Sequence, residues 1–309
     1  MPDPFHALHA PVEPVDPDPR FAARLRARLE RALARPEGVD MPRAVHEPEP
    51  VTAAETTGYP GHRWMFSGVS AATPTVAGSA HGDVSYASLW LPDVEVAAAF
   101  YADVLSWRYV PGSGTQGRQV VDVAPPLGLW GGQDHRTTFL CFAVDDVVAA
   151  TSRVRAAGGE AGEPRREHGG LLADCVDDQG MGFSLSEATP SRRAVPGNAR
   201  HGELAYLTLG VADTDRARAF FSAVLGWRFT PGHMEGGWNV EGVEPMAGMH
   251  GGAEVPVVVP MFAVDDIESA VTRVRAAGGT ATDPEQMPYG ITSDCVDNQA
   301  FSFYLGQLS

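Results

Sequence analysis

Apolar and polar residues alternate from Val84 to Leu91, which predicts a strand carrying Tyr86, Ser88 and Trp90 on one face. Asp93 follows as a helix N-cap, and Phe100, Tyr101, Val104 and Leu105 recur three and four apart, the buried stripe of a helix running to 105. Trp107-Arg108-Tyr109 opens the next strand, Pro111-Gly112 marks a turn, and two further strands are expected near 118–123 and 126–132. The pattern then restarts. A strand at 137–144 leads through Asp145-Asp146 into a helix to Ala157, closed by Gly158-Gly159, and strands near 171–176 and 181–186 finish the unit. One unit therefore reads as strand–helix–three strands, twice.

The whole pattern returns after 120 residues without a gap. Tyr86 matches Tyr206, Trp107-Arg108 matches Trp227-Arg228, FAVDD at 142–146 matches 262–266, and about 44 of roughly 109 paired positions between 81–189 and 201–309 are identical. The expected organisation is an N-terminal extension over 1–80, one domain over 81–188, a linker over 189–200 and a second domain over 201–309. In the extension, Phe21, Leu25, Leu29 and Leu33 predict a helix over about 20–35 flanked by six arginines and stopped by Pro36 and Gly38. A Pro-rich linker follows, and Trp64-Met65-Phe66 is expected as a short strand or plug. The helix is expected to dock on its own domains or to join a homodimer.

Composition narrows the partners. A formal net charge of −16 disfavours nucleic acid and anionic membranes. The chain has three cysteines, Cys141, Cys175 and Cys295, and no CxxC pair, so they read as small buried hydrophobes. The N-terminus lacks the basic start and apolar run of a signal peptide, and the longest apolar stretch, Val255 to Val264, is short and interrupted by two prolines. The expected compartment is the cytoplasm. GSGTQG at 112–117 lacks the strand-to-helix setting of a phosphate-binding loop.

LPDVEVAAAFYADVLSWRY (91–109), VADTDRARAFFSAVLGWRF (211–229), the two FAVDD…RVRAAGG stretches, and DCVDDQGMGFSL (174–185) with DCVDNQAFSFYL (294–305) resemble the vicinal oxygen chelate superfamily, which includes glyoxalases, bleomycin-resistance proteins and extradiol dioxygenases. The resemblance covers about 81–187 and 201–307. It implies an α+β fold: two tandem glyoxalase-like domains, each of two βαβββ modules forming a curved mixed sheet with helices outside, paired about a pseudo-twofold axis. In metal-dependent members, His and Glu side chains on several strands hold a divalent metal that polarises vicinal substrate oxygens. By alignment those positions fall on Tyr86, Trp130, Phe139 and Ser184 in the first copy, and on Tyr206, His250, Val259 and Tyr304 in the second. Only His250 is an ordinary metal ligand, so no metal and no other cofactor is expected.

Aromatic and hydroxylic groups stand where metal ligands would. Tyr86, Ser88, Trp90, Trp130, Phe139 and Ser184, with Tyr206, Thr208, Trp238, His250 and Tyr304, form the candidate ligand-binding set. Trp90, Trp130 and Trp238 face Gly210, His250 and Arg118 in the other copy, so they distinguish the two pockets. Trp107 and Trp227 read as core, and His81 and His201 as edge or turn residues. Asp174, Asp177, Asp294 and Asp297 read as partners of backbone amides. The favoured function is metal-free binding of a small, mostly hydrophobic molecule, as in the drug-resistance members. Two alternatives stay open. One is an enzyme of lyase, isomerase or dioxygenase type, using a non-standard metal site around His250 and Glu254 or Tyr/His acid–base chemistry with His250 as the candidate catalytic group. The other is a regulatory or scaffold protein.

Overall fold

The computed structural model describes residues 78–112, 114–167, 170–188 and 199–308. The helix expected over about 20–35, the Pro-rich linker and Trp64-Met65-Phe66 lie outside the described residues. The first repeat runs β1 (Val84–Trp90), α1 (Val94–Leu105), β2 (Tyr109–Pro111), β3 (Gly117–Val120), β4 (Leu127–Trp130), β5 (Thr137–Val144), α2 (Val147–Ala156), β6 (Glu160–Ala161), β7 (Arg165–Glu167), β8 (Gly170–Val176) and β9 (Gly182–Glu187). The second runs β10 (Leu204–Gly210), α3 (Thr214–Leu225), β11 (Arg228–Pro231), β12 (Trp238–Glu241), β13 (Met246–His250), β14 (Val257–Ala263), α4 (Ile267–Ala276), β15 (Thr280–Ala281), β16 (Glu285–Met287), β17 (Gly290–Val296) and β18 (Ser302–Leu308).

Each repeat builds one open mixed sheet, in the orders β2-β3-β4-β1-β5-β9-β8-β6 and β11-β12-β13-β10-β14-β18-β17-β15. The two modules of a repeat meet where β1 pairs antiparallel with β5, and β10 with β14. The second module carries an extra break: β6 and β7 both pair with β8, as β15 and β16 both pair with β17. Strands of two and three residues are too short to register as alternation in a sequence. The helix starts follow the expected capping chemistry. Asp93 Oδ1 accepts the Glu95 and Val96 amides at 2.9 and 3.2 Å, and Asp213 Oδ1 accepts those of Asp215 and Arg216 at 2.8 and 3.1 Å.

The core lies between the repeats. Helix α1 packs with α4, and α2 with α3. The aromatic face of α1 rests on the second repeat's sheet: Tyr101 lies 5.6 Å from Phe303, and Trp107, just past the helix, lies 5.1 Å from Phe262. Reciprocally, Phe221 of α3 lies 6.1 Å from Phe183, and Trp227 lies 5.3 Å from Phe142. Each such side chain withdraws roughly 1.5–3 kcal/mol of apolar surface from water. Polar contacts repeat the exchange. Trp107 Nε1 donates to Gly202 O at 2.8 Å and Trp227 Nε1 to Gly82 O at 2.9 Å. Arg153 and Arg273 donate to the carbonyls of Val224 and Val104, ends of helices in the opposite repeat. The Gln299 amide clamps the Asp93 backbone from both sides, at 2.8 and 2.9 Å, and Gln179 clamps Asp213 at 2.7 and 3.0 Å. These paired contacts follow a pseudo-twofold axis.

The three cysteines are free and buried. Burial raises all three thiols, Cys141 and Cys295 to about 11 and Cys175 to about 12. Among the described residues no helix is long and apolar enough to cross a membrane. Two outcomes are expected. Phe100→Ala and Phe220→Ala should each cost about 3–5 kcal/mol while leaving one cooperative transition in urea; a split into two transitions would show that the halves are independent. In Ellman titration at pH 8, the native thiols should be unreactive and all three should appear in denaturant; rapid native labelling of any one contradicts the packing.

Candidate functional site

Residues directly opposite one another on neighbouring strands project from the same face. In the first sheet, one row reads Tyr86, Cys141, Ser184, Asp174 across β1, β5, β9 and β8. In the second sheet the matched row reads Tyr206, Met261, Tyr304, Asp294. Two residues along, Ser88 lies between Gly128 and Phe139, and Thr208 between Gly248 and Val259. A further step brings Trp90 beside Trp130, and Gly210 beside His250. The intervening residues, such as Leu89, Phe142 and Leu185, or Leu209, Phe262 and Leu305, belong to the core under the helices. The structure therefore collects Tyr86, Ser88, Trp90, Trp130, Phe139 and Ser184 on the helix-free face of the first sheet. It collects Tyr206, Thr208, His250 and Tyr304 on that of the second. Trp238 is not brought to them: it packs against the core, with the Arg218 guanidinium of α3 3.6 Å from its ring centroid.

The two faces differ in what fills them. In the first, Trp90 and Phe139 stack at 4.8 Å with their planes 4° apart, are 4 % and 2 % exposed, and pack with Trp130 as a cluster separate from the main core. The space beside the stack, lined in part by His135, Met181 and Pro256, is about 20 Å³, room for one water. In the second, Gly210, Val259 and His250 replace the three rings. A side chain at Gly210 would begin 3.0 Å from Val257 Cγ1 and 3.3 Å from His250 Cε1, so the glycine is what lets the imidazole lie there. His250, Met246 and Tyr289 are exposed, and a recess of about 430 Å³ opens over Thr280, Thr282, Asp294, Ser302 and Tyr304.

The tyrosines occupy matched positions with unequal partners. Each hydroxyl leans over a glycine: a Cβ at Gly128 or Gly248 would lie 2.2 or 2.1 Å from Tyr86 or Tyr206 Oη. Tyr86 donates to Gln119 Oε1 at 3.2 Å, and Gln119 Nε2 donates to Leu127 O at 2.8 Å. Asn239 stands at the matched position in the second repeat, and among the described residues nothing hydrogen-bonds the Tyr206 hydroxyl. Burial, and secondarily Tyr289, raises the Tyr206 phenol, keeping it a protonated donor at neutral pH. Carboxylates diverge as well. Asp177 and Asp297 accept backbone amides as the sequence predicts, Asp177 from Gln179 and Met181, Asp297 from Gln299 and Phe301. Asp174 does not. It accepts the Ser184 hydroxyl at 2.7 Å and pairs with Arg165 Nη1 at 2.8 Å, because it points from the helix-free face and not along the strand end. Arg165 carries no motif; its only signal in the sequence is its replacement by Glu285 one period later. His81 and His201 accept the amides of Asp145 and Asp265, as edge residues.

The residues do not fit a bound metal. The four family positions supply Tyr86, Trp130, Phe139 and Ser184, or Tyr206, His250, Val259 and Tyr304, and among the described residues no three His, Cys, Asp or Glu side chains gather where an ion could bind. Glu254 does not complete such a set with His250.

Residues 84–185 match the model of the Glyoxalase/Bleomycin resistance protein/Dioxygenase superfamily. The chain is 28 % identical over 265 residues to the anthracycline biosynthesis protein DnrV of Streptomyces peucetius, covering 74 % of this chain and 94 % of that protein. It is 29 % identical over 230 residues to the putative glyoxylase CFP32 of Mycobacterium tuberculosis, covering 67 % and 87 %. Among solved structures, the Mn(II)-bound glyoxalase from Novosphingobium aromaticivorans superposes with a TM-score of 0.58 at 18 % identity, covering 74 % of this chain and 83 % of that one. The 2,3-dioxygenase LapB from Pseudomonas sp. KL28 gives 0.58 at 15 %, covering 75 % and 93 %. At such identities the two structures show a shared fold.

The Arg165–Asp174 pair is 30 % and 19 % exposed on its two sides. Arg165→Met should cost about 1–2 kcal/mol, below the figure for a fully buried pair because water still reaches both groups. The double variant with Asp174→Asn should recover part of that loss in a double-mutant cycle of urea midpoints, and strictly additive effects would show that the pair is not coupled.

Proposed function

We propose that the chain, whose residues 84–185 match the Glyoxalase/Bleomycin resistance protein/Dioxygenase superfamily model, is a member of that superfamily and holds a flat, mostly apolar organic molecule on the helix-free face of its second domain, without a metal. The observation that carries this reading is the exchange of Trp90, Phe139 and Trp130 for Gly210, Val259 and His250. Three rings that pack together on one face are replaced by two small groups and an exposed imidazole at the matched positions of the other. Tyr206, Thr208, Met261 and Tyr304 supply an apolar floor with hydroxyl tips, the composition that suits a ring system carrying a few polar substituents. Among the described residues the Tyr206 phenol is a donor with no protein partner to displace. At the other end of the same sheet, over β15, β17 and β18, a recess of about 430 Å³ reaches Tyr304, a volume in the range of small-molecule pockets. The anthracycline biosynthesis relatives support fused aromatic rings as the ligand class.

The test is a fluorescence titration of the full chain with a neutral anthracycline aglycone, together with elemental analysis of the purified protein. Saturable binding is expected, with metal well below one equivalent. Gly210→Trp should weaken binding at least tenfold, since the new ring and the displaced His250 occupy the ligand's place. No saturable binding, or one tightly held metal per chain on which binding depends, would overturn the proposal.

A further inference from the structure

Across β14, β10, β13 and β12 the row Val259, Thr208, Gly248, Asn239 crosses the helix-free face of the second sheet. The matched row of the first sheet is Phe139, Ser88, Gly128, Gln119. In each, a tyrosine two positions back on the central strand lays its hydroxyl over the glycine, so the last residue of the row decides what that phenol meets. Gln119 is long enough to reach it: its Oε1 accepts from Tyr86 at 3.2 Å, while its Nε2 donates to Leu127 O at 2.8 Å. Asn239 is one methylene shorter and is exposed. Among the described residues neither its side-chain amide nor the Tyr206 hydroxyl has a hydrogen-bond partner. The shorter side chain therefore releases two polar groups at one place on the second face. Tyr206 is half-buried, and Met246, opposite it on β13, is exposed, so that place is open to a ligand. Burial, which raises the Tyr206 phenol, keeps it a donor.

Resting on the reading of the second domain as a ligand site, we infer that the Tyr206–Asn239 corner selects flat ligands carrying a carbonyl oxygen on the ring system, and that Asn239 sets this preference. A ring carbonyl presents two lone pairs in the plane of its rings. The Tyr206 O–H donates to one, and the Asn239 amide N–H is the donor for the other. A hydrocarbon edge in the same place takes water from both groups and returns no partner, which costs the complex the desolvation of each. A carboxylate also accepts, but its charge is disfavoured beside a chain of net charge −16. In the first domain Gln119 takes the phenol proton itself, so the same tyrosine there serves the protein and not a ligand.

The experiment titrates the full chain with two neutral probes, 2-(hydroxymethyl)anthraquinone and 2-(hydroxymethyl)anthracene, which differ in their ring carbonyls. The readout is the ratio of the two affinities, compared between protein variants, so that the unequal hydrophobicity of the probes cancels. Tyr206→Phe, which removes the hydroxyl and keeps the ring, should lower the quinone-to-hydrocarbon ratio by about three- to tenfold. Asn239→Gln, which restores the acceptor that Gln119 supplies in the first domain, should lower it by about two- to fivefold. A ratio that either variant leaves unchanged, or binding of the anthracycline aglycone with neither probe, overturns the inference while leaving the ligand site standing. Failure of both probes and of the aglycone to bind overturns the reading of the site itself.

Discussion

Phe100, Tyr101 and Trp107 are buried against Phe262 and Phe303, and Phe220, Phe221 and Trp227 against Phe142 and Phe183. Helices of each repeat pack on their own sheet, and the aromatic side chains of α1 and α3 complete the cover of the other repeat's sheet. A sheet of this kind must bury one side, and part of the cover here is supplied by exchange across the pseudo-twofold axis. Helix capping by Asp93 and Asp213, the Gln179 and Gln299 clamps and the indole bonds to Gly82 and Gly202 all serve the same contact, fixing where each of these helices starts and ends.

This arrangement divides labour between the two faces of each sheet. Residues facing the helices recur between copies: Leu89 and Leu209, Phe142 and Phe262, Cys175 and Cys295, Phe183 and Phe303, Leu185 and Leu305. Residues facing away diverge: Trp90 and Gly210, Trp130 and His250, Phe139 and Val259, Cys141 and Met261, Ser184 and Tyr304. The helix-facing side of each sheet meets the same matched partners in both copies, whereas on the other side each copy packs its own set of side chains. The helix-free faces share Tyr86 with Tyr206, the glycine each phenol lies over, the carboxylate at the end of the row, and the small apolar pairs Ala143 with Ala263 and Val176 with Val296.

The parts of this fold that follow local rules are legible in the chain. Capping aspartates, the three-and-four spacing of ring residues and the period-two faces of β1 and β10 give helix ends, strand positions and the sidedness of Tyr86, Ser88 and Trp90 without coordinates. Which sheet a helix covers is not a local property. Phe100 reads as buried but carries no mark that its neighbour is Phe303, about two hundred residues away. Trp238 shows the same limit. Its matched residue Arg118 faces α1, where it meets Glu95, so both positions belong to the helix side of their sheets, a placement set by the register of β3 and β12 with their neighbours. Arg165 is silent for another reason. A three-residue strand of mixed charge has no pattern, and the partner that gives it meaning sits on a strand it only meets by pairing.

The exchange of aromatic side chains also constrains inheritance. A half taken from a cousin protein would bring its own rings to a foreign sheet, and Phe100 would have to find a Phe303, Trp107 a carbonyl at Gly202 and Gln299 an Asp93, all at once. Recombination at the boundary between repeats is thereby penalised as heavily as a set of simultaneous core mutations. A change in one half therefore has to keep its matched contacts in the other, whereas a substitution on an uncovered face answers only to the neighbours within its own repeat.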